Sequence, residues 1–212
     1  MPVQLWVAVV CAALCAVLVI TTLTVDGKRP LPGDRALHAW ALAHRSEAVV
    51  AAARVLTDSG TGVWPYLLAA LAGILAGRSA RGRTISAVAA LAVLLLGQGL
   101  RLALMLAIAR PRPPHTDWAT RASGFSMPSG HSTTSALVAG LVCWAAAYGA
   151  RRILRWCVWV PAVLWAAGVG LTRIYLGVHW PSDVVAGWLL AAAYLAVMVT
   201  VTRGRLTGSR SR

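Results

Sequence analysis

Three short stretches of this chain carry side chains able to handle a phosphoryl group. They are Arg110-Pro-Arg112-Pro-Pro114, then Pro128-Ser129-Gly130-His131, then Arg173 followed by His179 and Asp183. Guanidinium groups are planar, permanently charged donors whose fork matches phosphate oxygens. Pro-Ser-Gly-His reads as the opening of a helix, where unpaired N–H groups and the positive end of the dipole favour an anion. Gly130 lets that anion approach the backbone, and Ser129 adds a hydroxyl donor. His179 and Asp183 stand one helical turn apart, with Pro181 suited to a first turn. At that spacing the carboxylate takes Nδ1–H and leaves Nε2 unprotonated and aimed at phosphorus, as nucleophilic catalysis requires. His131 is then the general acid for the leaving oxygen. A metal held by His131, His179 and Asp183 fits less well, because the arginines repel a cation and already bring its charge. The expected site has no metal and no cofactor.

The elements that must position these groups are membrane helices. Of 212 residues, 58% are apolar and 12% charged, about half the charge fraction of a soluble domain, and mean hydropathy is +0.70. The apolar residues fall in six runs, at 3–24, 63–77, 85–109, 129–148, 154–171 and 182–202, set against the length of about 20 residues that crosses a bilayer; the second is short for a full crossing, and including Thr61–Gly62 or some tilt suffices. The first run lacks the basic start and short core of a signal peptide and reads as a retained span. Residues 26–60 differ: charges punctuate an Ala-rich stretch, Asp34 is placed as a helix N-cap, and His38 and His44 are placed at the surface. The fold expected is all-α, a polytopic bundle of six transmembrane helices with an interfacial helical segment after the first. It forms one domain over 1–202, with interfacial residues 26–60 and motifs within 101–183, followed by a basic tail at 203–212.

Net charge is +14, and 19 of the 20 basic residues are Arg. No basic patch is interleaved with base-stacking aromatics, so nucleic acid is not an expected partner; the bilayer is. Cys11, Cys15, Cys143 and Cys157 lie within or beside apolar runs without a C-x-x-C pair and read as small apolar residues. With six spans all three motifs share one side. Arg78, Arg81 and Arg83, and Arg151, Arg152 and Arg155, concentrate in short loops on the other, which assigns the termini to the cytoplasm and the site to the outer face of the cell membrane.

Together, in this order, the motifs resemble the type 2 phosphatidic acid phosphatase superfamily, whose pattern is K-x6-R-P, P-S-G-H and S-R-x5-H-x3-D. The second motif is complete, the third has Thr172 in place of Ser, and the first has Arg112-Pro113 but Met105 at the Lys position. The resemblance implies a metal-independent lipid phosphatase acting on a phosphomonoester or diphosphate through a phosphohistidine on His179. His131 would be the acid, with Arg112, Ser129, Gly130 and Arg173 binding phosphate. Arg101, one turn before Met105, and Arg110 are both candidates to replace the missing cation. Transfer of the phosphate to a lipid acceptor, or a non-catalytic membrane protein with a vestigial anion site, are the other readings. His115, Asp117, Trp118 and Arg121 either line the substrate entrance or form a solvated loop.

Overall fold

The computed structural model describes residues 3–25, 27, 29–149 and 152–208. Among these there are helices and loops and no strand: α1 (Val3–Thr24), α2 (Asp34–Ala43), α3 (Glu47–Asp58), α4 (Trp64–Ala76), α5 (Ala80–Ile108), α6 (Gly130–Gly149), α7 (Arg152–Tyr175) and α8 (Pro181–Gly208), with a 3-10 turn at His115–Asp117. Local chemistry sets the boundaries. Ser46 and Ser79 cap α3 and α5 by accepting the N–H of Val49 and Gly82. Pro65 occupies the first turn of α4, and α5 stops where Ala109 turns left-handed at φ 49°.

Four helices are long and apolar enough to cross a membrane: α1, α5, α7 and α8 through Thr200. That is fewer than the six expected. α4 is apolar but has 13 residues, and α6 opens with the polar run Gly-His-Ser-Thr-Thr-Ser. Both nevertheless sit where apolar runs were read. Residues 26–60, expected to be helical, hold α2 and α3 among those described. The tail expectation shifts: α8 continues through 203–208, and 209–212 lie outside the described residues.

α6 is the centre of the bundle, packed by α4, α5, α7 and α8, while α1 runs along α8 and α3 along α7. Its core is built of Leu94, Leu137, Val138 and Leu141 with alanines from α4, α5, α6 and α8. Large apolar side chains such as Leu75 and Ile153 point outward at 69% and 74% exposure, the reverse of a soluble surface and suited to lipid. Small residues allow the closest approaches: a Cβ on Gly187 of α8 would lie 2.9 Å from the Ser129 carbonyl at the head of α6. This contact brings the second and third motifs together.

Candidate active site

The Ser129 N–H donates to the Asp183 carbonyl at 3.0 Å, tying the start of α6 to the first turn of α8. At the head of α6 the Ser132 N–H and hydroxyl donate to Ser129 Oγ at 3.5 and 3.0 Å, and the Thr133 N–H donates to the Ser129 carbonyl at 3.0 Å. Among the described residues this leaves the N–H groups of Gly130 and His131 unpaired, two donors at a helix N-terminus. The peptide before Pro128 is cis.

His179 sits in the loop between α7 and α8 and is 1% exposed. Arg112 Nη1 lies 2.8 Å from its Nε2. A guanidinium only donates, so Nε2 is the lone-pair nitrogen and the ring proton is on Nδ1. Nδ1 faces Asp183 Oδ2 at 3.4 Å, a long contact, because the same oxygen accepts the Trp180 N–H at 2.9 Å. Burial pushes the His179 pKa well below its ordinary value; Arg112, Arg173 and Arg101 add to the fall, and a backbone hydrogen bond at Ser126 opposes it. The ring is thus held neutral, with its free electron pair turned to the arginines. Three guanidiniums from α5, α7 and the loop after α5 converge on one imidazole.

Each arginine is held in its own way. Arg112 donates to the carbonyls of Gly124 (3.0 Å), Val178 (2.8 Å), Ser123 (2.8 Å) and Phe125 (3.1 Å). Arg173 is 2% exposed; its Nη1 donates to Thr57 of α3 at 3.0 Å, and its Nε has no partner among the described residues. Arg101 donates from Nε to the Pro128 carbonyl at 2.8 Å. Its guanidinium carbon would be 3.1 Å from a Cβ on Gly130, so any side chain there would fill the space beside the cation. His131 lies in the field of Arg173, His179, Arg112 and Arg101, and its ring makes no hydrogen bond among the described residues. A cavity of about 320 Å³ joins His131, Gly130 and Arg101 to Thr61, Tyr66 and Gln98.

Of the two candidates to replace the missing cation, Arg101 lies beside Gly130 and Arg110 does not. Arg110 is wholly buried and bonded to Asp34, Ser182 and Asp183, on the far side of the carboxylate from the histidine's free nitrogen. Its charge is spent there. Met105, at the Lys position, is buried against Gly124, under the loop that holds Arg112.

Several residues of the interfacial segment, placed at the surface or given only local roles from sequence, turn inward. His38 is 5% exposed, not at the surface as expected; its Nε2 pairs with Asp117 Oδ2 at 2.9 Å and its ring lies against Trp180. The N-cap of α2 is Gly33, in the left-handed region, and not Asp34, whose carboxylate reaches α8 instead. Arg45 donates to the carbonyls of Tyr175 and Asp117 at 2.8 and 2.7 Å, and Arg54 to that of Ala119 at 2.8 Å. These bonds pin the 115–119 loop and the end of α7 over the site. Gly177 completes the clamp: at φ +76° any Cβ would collide with the Asp117 carbonyl. His115 and Trp118 stack, centroids 3.9 Å apart, beside a second cavity of about 350 Å³ that reaches Arg112. Thr57, Arg45 and Asp34 carried no motif signal, because their partners lie more than 70 residues away.

The comparisons with known proteins agree with this geometry. The PAP2 superfamily family model matches residues 86–206, which include all three motifs. An undecaprenyl-diphosphatase of Sulfolobus acidocaldarius is 37% identical over 84 residues, 37% of this chain and 35% of that protein. A decaprenylphosphoryl-5-phosphoribose phosphatase of Mycobacterium tuberculosis is 31% identical over 160 residues, 74% of this chain and 82% of its own length. The chain thus spans about a third of the length of the first curated relatives it matches and most of the mycobacterial one. The fold matches the crystal structure of a transmembrane PAP2-type phosphatidylglycerolphosphate phosphatase from Bacillus subtilis, with TM-score 0.76 and 24% identity over 93% of this chain and 96% of that one. On the family match and the near full-length relative, the chain belongs to the PAP2 superfamily.

Proposed function

We propose that the protein is an integral-membrane lipid phosphatase that hydrolyses a lipid phosphomonoester or diphosphate without a metal. The observation that carries this reading is the 2.8 Å contact between Arg112 Nη1 and His179 Nε2. It keeps the histidine's lone pair in the place where a guanidinium would hand it a phosphate. In this reading the phosphate displaces Arg112 from Nε2 and is held by Arg112, Arg173 and Arg101, by the N–H groups of Gly130 and His131, and by the Ser129 hydroxyl. His179 Nε2 attacks phosphorus, the ester P–O bond breaks, and His131 gives its proton to the leaving oxygen. Water then attacks the phosphohistidine with His131 as base, which frees phosphate and restores both rings. Charge stabilisation by fixed donors supplies most of the rate, as in other phosphoryl transfers.

The relatives' printed names and the outward-facing apolar side chains support a lipid substrate. This reading takes six crossings, with α4 and α6 as short or polar-ended spans, and in that topology the motifs would face outward, opposite Arg78, Arg81 and Arg83. The test is phosphate release from phosphatidate, phosphatidylglycerophosphate and a polyprenyl diphosphate by the purified protein in excess chelator. Release at full rate with chelator, and its loss in His179→Ala, are expected. A strict divalent-metal requirement, or near wild-type turnover in the variant, would overturn the reading.

A further inference from the structure

Arg110 is the largest fully buried side chain among the described residues, and it holds two carboxylates at once. Nη1 donates to Asp183 Oδ1 at 2.6 Å and to Ser182 Oγ at 2.7 Å; Nη2 donates to Asp34 Oδ2 at 2.8 Å. Asp34 also accepts from the Ser182 N–H (2.9 Å), the Ser182 hydroxyl (2.7 Å) and the Leu31 N–H (2.9 Å). Asp34 is 3% exposed and Asp183 is wholly buried. We propose that Asp34, from the interfacial helix α2, is a positioning residue for the phosphoryl-transfer site, acting on His179 through Arg110 and Asp183.

The argument is one of charge and of rotation. Arg110 alone would neutralise Asp183 and leave it a weak partner for an imidazole that becomes positive when Nε2 bonds phosphorus. With Asp34 on the other arm of the fork, the buried trio keeps one net formal negative charge, shared between two carboxylates, one of which faces His179. Groups facing that ring from the packed elements are Arg101 (α5), Arg112 (the loop), His131 (α6), Arg173 (α7) and Asp183 (α8). Against three guanidiniums, a full carboxylate charge matters. Arg110 on Oδ1 and the Trp180 N–H on Oδ2 together set the rotation of the carboxylate and leave Oδ2 toward Nδ1, and Asp34 sets Arg110. Burying three charges is costly, and apolar packing of the same volume would hold two helices together as well or better.

The inference rests on His179 being the nucleophile, and its test is separate from the His179→Ala test. The probes are lipid-phosphate turnover and inhibition by inorganic phosphate, which reads the cradle without the chemistry. Asp34→Asn is expected to lower kcat by about 10- to 100-fold, the scale for misplacing a reacting group from a distance. KM and phosphate inhibition should stay within about twofold. Arg110→Gln strands two buried carboxylates, so the Asp34→Asn, Arg110→Gln double variant should be more active than Arg110→Gln alone. Should Asp34→Asn not accumulate as folded protein, Arg110→Lys carries the test: its ammonium cannot fork across both carboxylates, and the same split between kcat and inhibition is expected. Unchanged kcat, equal loss of kcat and phosphate inhibition, or a double variant as poor as the product of the singles would each overturn the proposal.

Discussion

Replacing Arg101 with Gln tests whether a cation from one turn earlier in α5 does the work of the family's Lys. The guanidinium is already placed: Nε is fixed on the Pro128 carbonyl at 2.8 Å, and the group lies against Gly130 and lines the cavity with His131. A phosphate in that cavity gains a charge-assisted hydrogen bond, and losing one costs about 1.5–3 kcal/mol. In kcat/KM this is a fall of about 10- to 160-fold. The bond to Pro128 goes too, at about 1 kcal/mol of fold stability, which appears in thermal denaturation and not in ligand affinity. The assay is phosphate release from a detergent-solubilised lipid phosphate with kcat and KM resolved, and vanadate inhibition in parallel, since vanadate occupies the phosphoryl position. Vanadate should weaken with kcat/KM. If both constants stay within about twofold of wild type, Arg101 only braces α5 against α6, and the substitute-cation argument fails.

The remaining expectations concern stability. His179 has a folded pKa well below its unfolded value, so its contribution is complete above about pH 6.5 and is lost as pH falls below that. Thermal denaturation from pH 7.5 to 5 should therefore show a shallower acid loss in His179→Gln than in wild type, by at most about 1.4 kcal/mol per pH unit; parallel curves would contradict the buried neutral ring. Gly177→Ala puts a Cβ at positive φ and into the Asp117 carbonyl, which should cost about 1–3 kcal/mol. A melting temperature equal to wild type would show that the 115–119 clamp is loose.

The parts of the site that were legible from sequence are those whose geometry is local. His179 and Asp183 lie one turn apart, and Pro-Ser-Gly-His opens a helix whatever it packs against, so their relation needs no tertiary knowledge. Arg101 against Arg110 could not be decided that way. Ala109 turns left-handed and ends α5, so Arg110 lies outside the helical register of Arg101 and its direction cannot be read from helix geometry. The interfacial segment misled for the opposite reason. Its scattered charges are those of a surface segment, but Asp34, His38 and Arg45 have partners on α8 and the 115–119 loop, and no local pattern marks such pairs. The count of spans rests on apolar runs, and the two that fall short by length and composition are α4, with 13 residues, and α6, whose first turns are Gly, His, Ser and Thr.

The buried fork at Arg110 also bears on how the chain is assembled during synthesis. The segment matched by the family model begins after α2 and α3, yet the arginine within it has one of its two counter-ions at Asp34. A ribosome delivers that aspartate long before Arg110 and Asp183. The buried guanidinium of Arg110 therefore follows one of its two counter-ions in the order of synthesis and precedes the other, so its charge has a partner in the chain before Asp183 is made.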